Sequence, residues 1–343
     1  MKNKIFLMLI AVFVSLVSCT NQDAEFDNFD HQSVYFAYQY PVRTITLGED
    51  IFDTTLDNQH KCKIMGTLGG VYNNDKDVTI DIAVANSLPA GFLFNAGGSD
   101  IVAMPSNYYT LSSNQIVIPK GQITGGVEVQ LSDAFFADPL SVKNTYVIPL
   151  EMKKVVNADT ILSGKALVPN PLKLLSTDWS VAPKDYVLYA VKYVNPWDGN
   201  YLRRGKDVIV GNNGNTALNK TVIRHSTYVE GDQVSKINTV SLNTIDFPVV
   251  VKDAYGVNIN FNLKLTFDSE NNCTVSGSSA SFTASGTGKF VKKGEKNSWG
   301  SKDRDAIYLD YKVNFQDFNL TTKDTLVLRD RGVTAAVYSP VKK

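Results

Sequence analysis

Residues 257–267 read VNINFNLKLTF, and this stretch decides the fold class. Every second residue in it is apolar, whereas the residues between are asparagine, lysine or threonine. A period of two buries one face of a β-strand and leaves the other in water, as in antiparallel sheets. The same alternation recurs over residues 78–85 and 127–131, and sustained helical periodicity is hard to find after residue 19. We therefore predict an all-β protein.

The composition argues against a nucleic-acid-binding protein and against a disordered tail. The chain has 343 residues, with 34 basic and 34 acidic side chains and no formal net charge. A nucleic-acid partner would require a basic excess that displaces counterions, so we expect none. Because 43% of the residues are hydrophobic and only 20% are charged, the composition also argues against an acidic disordered tail. The length favours two domains.

The N-terminus has the features of a secretion signal. Residues 1–4 (MKNK) are basic, and residues 5–17 form an apolar run that is too short to span a bilayer. The run ends in LVSC over residues 16–19, which resembles the bacterial lipobox, where the cysteine receives the lipid. We predict a signal peptide over residues 1–18 and lipidation of Cys19. An ordinary signal peptide or a membrane anchor is the alternative.

An acidic stretch follows the predicted lipidation site. Residues 20–30 contain three aspartates and one glutamate and no lysine or arginine. Such a stretch resembles the surface-export signal of Bacteroidetes lipoproteins, and in any case it suits a flexible tether over residues 19–30. We therefore expect an outer-membrane lipoprotein that contacts the membrane through the lipid on Cys19 and faces the cell exterior.

Prolines divide the rest of the chain. Pro169, Pro171 and Pro183 lie among polar residues and predict a linker over residues 166–184. Upstream, short strand candidates predict an immunoglobulin-like Greek-key β-sandwich over residues 31–165, with a long and therefore functionally interesting loop over residues 85–105. Downstream, strand candidates over residues 185–343 predict a β-barrel or a second sandwich. Residues 197–205 resemble the opening strand of a lipocalin-like β-barrel, and this resemblance implies that Trp197 closes one end of the barrel. Cys62 and Cys273 each lie in an alternating run, and we expect two buried, unreactive thiols.

Several short blocks resemble a known family. They are TLGED (46–50), LDNQH (56–60), GGVY (69–72), PSNYYTL (105–111), IPKG (118–121) and YVIPL (146–150). Together they resemble the N-terminal domain of unknown function 1735, which occurs on many Bacteroidetes surface lipoproteins and precedes the catalytic domain of some chitinase-like endoglycosidases. Residues 192–205 resemble the uncharacterised lipocalin-like C-terminal β domains that accompany it. The resemblance implies a glycan-related role in a polysaccharide-utilisation system and supplies no binding residues.

Catalytic motifs are hard to find. A glycoside hydrolase requires two opposed carboxylates, one of which has a raised pKa, and the chain's seven glutamates are scattered. No Gly-x-Ser-x-Gly, His-Glu-x-x-His or Cys-x-x-Cys motif occurs. We predict that the protein is not an enzyme and requires neither a cofactor nor a metal. A divergent glycoside hydrolase with carboxylates gathered from separate strands is the less favoured alternative.

Aromatic side chains are better candidates, because sugars stack on aromatic faces while polar groups bind their hydroxyls. The candidate ligand-binding residues are Trp299, Trp179, Tyr108 and Tyr109. For each, a packing role is the alternative. We predict a non-catalytic glycan-binding accessory protein, with a glycan as ligand and an outer-membrane importer or hydrolase as partner. An adhesin or assembly protein that binds a protein partner is the alternative.

Overall fold

The structure is a computed structural model that describes residues 29–343. The predicted signal peptide, the lipidation site Cys19 and nearly all of the tether lie outside the described residues. Two β domains follow one another along the chain, and a short C-terminal tail returns from the second domain to the first.

The first domain is a β-sandwich. In chain order its strands are β1 (Ser33–Tyr35), β2 (Pro41–Thr46), β3 (Lys61–Gly69), β4 (Val78–Val84), β5 (Phe92–Leu93), β6 (Val102–Ala103), β7 (Tyr109–Leu111), β8 (Gln115–Ile118), β9 (Thr124–Leu131), β10 (Tyr146–Val156), β11 (Thr160–Ile161), β12 (Lys165–Ala166), β13 (Trp179–Val181) and β14 (Tyr186–Val194). Two short helices, α1 (Thr55–Asn58) and α2 (Asp133–Ala137), and two 3-10 turns (Pro139–Val142 and Ser176–Asp178) interrupt them.

Two sheets face each other across the sandwich core. One sheet has the order β11-β1-β3-β9-β7, and the other contains β2-β14-β10-β4-β8 with β6 beside β10. Alternate residues of these strands point inward, as the period of two predicts. The hydrophobic core includes Val34, Ile64, Ile80, Val129, Ile148 and Tyr193.

The second domain is a closed barrel. Its strands are β15 (Gly199–Gly211), β16 (Lys220–Arg224), β17 (Gln233–Thr239), β18 (Thr244–Lys252), β19 (Asn258–Phe267), β20 (Asn272–Gly277), β21 (Thr283–Ser298), β22 (Lys302–Asn314) and β23 (Phe318–Asp330), with 3-10 turns at Thr216–Leu218, Val229–Gly231 and Trp299–Ser301. Pairing of β15 with β23 closes eight antiparallel strands into the barrel, and β16 extends it beside β15. The predicted all-β fold, a sandwich followed by a barrel, is confirmed.

Apolar side chains fill the barrel interior. Trp197 lies just before β15, is 7% exposed and stacks on Phe267 with ring centroids 4.1 Å apart. This position is the plug that the sequence predicted. Cys273 contributes to the barrel core and Cys62 to the sandwich core, so the prediction of two buried, unpaired thiols is also confirmed.

The domain boundaries differ from those predicted. We expected residue 185 to begin the barrel domain, but β14 lies in the sandwich, between β10 and β2. Both faces of β14 are covered: Val187 faces the sandwich core, and Leu188 faces a second, smaller core. A strand that is buried on both faces reads as a continuous apolar run, which gives no signal of the domain it joins.

The predicted linker and the long loop both have structure. The linker, residues 166–184, contains most of a small hairpin in which β12 pairs with β13. The loop over residues 85–105 packs Phe92 and Phe94 into the second core against Tyr338 of the C-terminal tail. That tail pairs with the sandwich through β24 (Ala336–Val337) and β25 (Val341–Lys342). It therefore fastens the barrel to the sandwich.

Candidate functional site

A buried arginine holds the two domains together. Arg331 follows β23 and is only 4% exposed. Its Nη1 donates hydrogen bonds to the carbonyl oxygens of Leu47 (3.2 Å) and Glu49 (3.0 Å), and its Nη2 donates to that of Asn195 (2.7 Å). All three acceptors are neutral, and the Nε–H has no partner within residues 29–343.

The joint around Arg331 is tightly packed. Asn195 is fully buried, and its Nδ2 donates to the carbonyl oxygens of Ser241 (2.8 Å) and Thr244 (3.1 Å) in the barrel. Gly48 has a φ of +87°, and a Cβ there would lie 3.0 Å from Cβ of Pro196. Only glycine suits this position, because the left-handed conformation and the close approach both exclude a side chain.

A cleft that we call the basic cleft opens on one side of this joint. It has a volume of about 310 Å³ and is formed by the sandwich, the barrel and the C-terminal tail. Its polar and charged lining residues are Thr44, Lys192, Asp198, Lys236, Asn238, Thr239, Arg331 and Thr334. Three cations face one carboxylate, which leaves a formal excess of two positive charges.

Asp198 is the fully engaged carboxylate of the basic cleft. Its Oδ1 accepts a hydrogen bond from Lys236 Nζ at 2.7 Å, and its Oδ2 accepts from the backbone N–H and the Oγ1 hydroxyl of Thr239 at 2.6 and 2.8 Å. These bonds fix the ammonium of Lys236 at the cleft. Groups held in this way are preorganised for a ligand, so binding would require little reordering of side chains.

A second cleft, which we call the mixed cleft, opens on the other side of Arg331 with a volume of about 280 Å³. Its charged lining residues are Glu49, Asp50, Lys293, Asp303, Arg304, Asp305, Arg329, Asp330 and Arg331. Hydrogen bonding to Lys292 lowers the pKa of Glu49, and hydrogen bonding to Lys296 lowers that of Asp303. Both groups remain ionised near neutral pH and are unsuited to act as the general acid of a glycosidase.

Trp299 lies at the tip of the β21–β22 hairpin and is half-buried. The guanidinium of Arg304 lies 3.6 Å from the centre of its ring, and the indole Nε1 donates to the carbonyl oxygen of Leu328 at 3.0 Å. One aromatic face is therefore covered by a residue that also lines the mixed cleft. A cation–π contact of this kind stabilises the hairpin tip.

The other predicted binding residues lie in the sandwich domain. Trp179 is half-buried in β13, and its Nε1 donates to the carbonyl oxygen of Leu172 at 2.9 Å. Tyr108 packs edge-to-face on Phe135 and donates its hydroxyl to Asp138 at 3.0 Å. Tyr109 also packs against the sandwich core. The structure does not bring these residues and Trp299 together, and none of the four lines the basic or the mixed cleft.

A second group of buried charges lies inside the barrel. Arg203, whose side chain is fully buried, donates through Nε to Asp324 (3.0 Å) and through Nη1 to the carbonyl oxygen of Val250 (3.1 Å). Arg224 bridges Asp324 and Asp207. Two arginines and two aspartates balance each other, so this cluster holds the strands together and carries no net charge that would attract a ligand.

Within residues 29–343, no group of three or more histidine, cysteine, aspartate or glutamate side chains could hold a metal ion. In the same part of the chain, no helix combines the length and apolar character needed to cross a membrane.

Sequence reasoning missed the residues that form the basic cleft. Lys192 and Asp198 both lie in residues 192–205, which resemble a C-terminal β domain, but nothing in their spacing indicated a shared cleft. Lys236 lies on a short strand, and Arg331 lies 284 positions from Leu47, to which it binds. Only the folded chain brings them together.

The comparisons with known proteins describe a family of unknown function. A family model of an N-terminal domain matches residues 26–159, and a model described as a domain of unknown function (DUF5627) matches residues 196–332. No curated protein matches the chain. A solved structure of a candidate carbohydrate-binding protein from Bacteroides ovatus ATCC 8483 is 14% identical, with a TM-score of 0.28, and the match covers 89% of this chain and 97% of that one.

A second solved structure is much more similar. It is a Bacteroides ovatus protein of unknown function from structural genomics, 50% identical to this chain, with a TM-score of 0.88. The match covers 92% of this chain and 100% of that one. The chain therefore belongs to the family of this two-domain Bacteroides ovatus protein of unknown function.

Proposed function

We propose that the protein is a non-catalytic glycan-binding lipoprotein, anchored in the outer membrane through Cys19 and exposed at the cell surface. The observation that carries the proposal is the basic cleft. It offers hydroxyl, amide and ammonium groups from both domains at a hydrogen-bonded joint, with room for a sugar unit. Ligand sites occur preferentially at domain interfaces and use a few fixed polar groups for orientation.

Other features support the surface role and the absence of catalysis. The lipobox and the acidic residues after it suit export to the cell surface. In the mixed cleft, ion pairing keeps Glu49 and Asp303 ionised, so neither supplies the protonated acid that glycoside hydrolysis requires. The assignment of residues 31–165 to domain of unknown function 1735 is part of the same proposal. We also retain an outer-membrane importer or hydrolase as the expected partner.

A glycan array tests this function. The mature chain, with Cys19→Ser to prevent lipidation, should bind a subset of plant, host or microbial glycans. Asn238→Ala and Lys236→Gln should each remove most of the signal because both side chains line the basic cleft. Trp299→Ala removes the ring that packs under Arg304 of the mixed cleft and so tests that cleft indirectly, and Trp179→Ala, in the sandwich domain, is the control. Silence of the wild-type protein across the array would contradict the proposal.

A protein-binding role is the second candidate, and one surface favours it. The segment around the β12–β13 hairpin exposes three apolar residues, with exposed fractions of 64% for Leu167, 58% for Val181 and 42% for Leu172. Exposed apolar side chains close together on a small hairpin suit a protein contact. Light scattering that detects a stable complex or ordered self-assembly, lost in Leu167→Ser, would support an adhesin or assembly protein.

A further inference from the structure

The charge of Arg331 is not balanced inside the protein. Its side chain is buried, its hydrogen bonds end on carbonyl oxygens, and no carboxylate within residues 29–343 forms an ion pair with it. A buried guanidinium usually has an anionic partner because removal from water is costly for a charged group. Its Nε–H is also left without an acceptor. Both Nη atoms are fully engaged by carbonyl oxygens and the Nε atom is buried, so Arg331 contributes an unbalanced positive charge to the cleft and no further donor.

Two lysines reinforce this positive site. Lys192 lies on β14 beside Thr44 of β2, is half-buried, and has no ion pair within the described chain. Lys236 forms one bond to Asp198, and an ammonium has three donors, so two remain. Both lysines and Arg331 line the same cleft.

The two clefts therefore differ in the ligand they favour. The mixed cleft has five carboxylates against four cations, and several of its charges are already paired, such as Asp330 with Arg329. The basic cleft has three cations against one carboxylate, which already accepts three hydrogen bonds. An anionic ligand would be attracted to the basic cleft and weakly repelled by the mixed cleft.

We propose that the basic cleft selects acidic glycans, binding a carboxylate or sulfate group of the sugar through Lys192 and Lys236, while the buried charge of Arg331 adds positive potential at the cleft wall. This inference rests on the proposed glycan-binding function and adds the class of glycan that the basic cleft selects. Charge-assisted hydrogen bonds are stronger than neutral ones, so the acidic group supplies most of the discrimination. Asn238 and Thr44 remain available to the neighbouring hydroxyls of the sugar.

Calorimetric titration with matched sugars tests the inference. The probes are oligogalacturonate and its methyl ester, and chondroitin sulfate and unsulfated chondroitin. The first pair isolates a carboxylate and the second a sulfate. The mature Cys19→Ser chain should bind the acidic member of one pair at least about tenfold more tightly than its less charged counterpart, and high salt should weaken this binding.

Variants then locate the site. Lys192→Gln and Lys236→Gln should each weaken acidic-sugar binding about tenfold, while Lys312→Gln, an exposed lysine on the outside of the barrel, should leave it unchanged. Equal binding of acidic and neutral sugars, or binding that both cleft variants leave intact, would overturn the inference and preserve the proposed function. Failure of every glycan on the array would overturn both.

Discussion

Replacing Arg331 by methionine should weaken the joint between the sandwich and the barrel. The substitution keeps much of the apolar stem but removes the hydrogen bonds to the carbonyl oxygens of Leu47, Glu49 and Asn195. Each buried carbonyl left without a partner costs about 1–3 kcal/mol, although those near the two clefts can recruit water. Relief of the desolvation of an unbalanced guanidinium offsets part of this cost. We expect a net loss of about 2–4 kcal/mol in the free energy of unfolding.

Urea unfolding measures this loss. Fluorescence of Trp197, which lies in the barrel core, and circular dichroism of the whole chain should both report an earlier transition for Arg331→Met. The matched control is Arg329→Met, two residues away, whose side chain is 42% exposed and pairs with an exposed aspartate. Such a surface pair is worth only about 0–1 kcal/mol. Equal effects of the two substitutions would refute the assignment of Arg331 as the residue that holds the joint.

Three other outcomes follow from the buried groups. Arg203→Met should lower the free energy of unfolding, measured in urea, by about 3–5 kcal/mol, because it leaves the buried Asp324 short of a partner. A loss below about 1 kcal/mol would contradict the role of Arg203 in holding the strands together. Burial opposes ionisation of Asp207, but hydrogen bonds from Arg224 outweigh it and lower its pKa below the ordinary value of 3.8. The stability that Asp207 contributes is therefore present above pH 3.8 and is lost as the pH falls through its lowered pKa. The Asp207→Asn variant should flatten that part of the plot of unfolding free energy against pH. An unchanged plot would contradict the stabilising role of the ionised Asp207. Burial raises the pKa of Cys62 and Cys273 to about 12, so neither thiol should react with Ellman's reagent until the protein unfolds. Rapid labelling of the native protein would contradict this and would show that the two cores are open to solvent.

Local sequence patterns predicted the strands that have one buried face and one exposed face. The alternating stretch over residues 257–267 contains β19, with Phe261 in the barrel interior. Trp197 closes the barrel core as expected. The same rule failed for β14, because both of its faces are covered and its apolar run had no period. Its place in the sandwich depends on pairing with β2, a contact between segments far apart in the sequence.

The predicted aromatic residues show a second limit of local patterns. A tryptophan in a polar loop suggests an exposed ring, but Trp179 and Trp299 both fold back and donate their indole N–H to backbone carbonyls. A buried or half-buried N–H requires an acceptor, and the sequence does not say which carbonyl will be near. The basic cleft was missed for the same reason, because Lys192, Lys236 and Arg331 come from three different segments.

Glycan-array binding of the wild-type mature chain and its Lys236→Gln variant tests the central proposal most directly. The Lys236 side chain is 43% exposed, and without its ammonium Asp198 keeps the two hydrogen bonds from Thr239, so the fold should survive the substitution. We expect the wild type to bind a subset of glycans and the variant to lose most of that signal. Wild-type binding that persists in the variant would move the site away from the basic cleft, and the absence of any wild-type signal would contradict glycan binding itself.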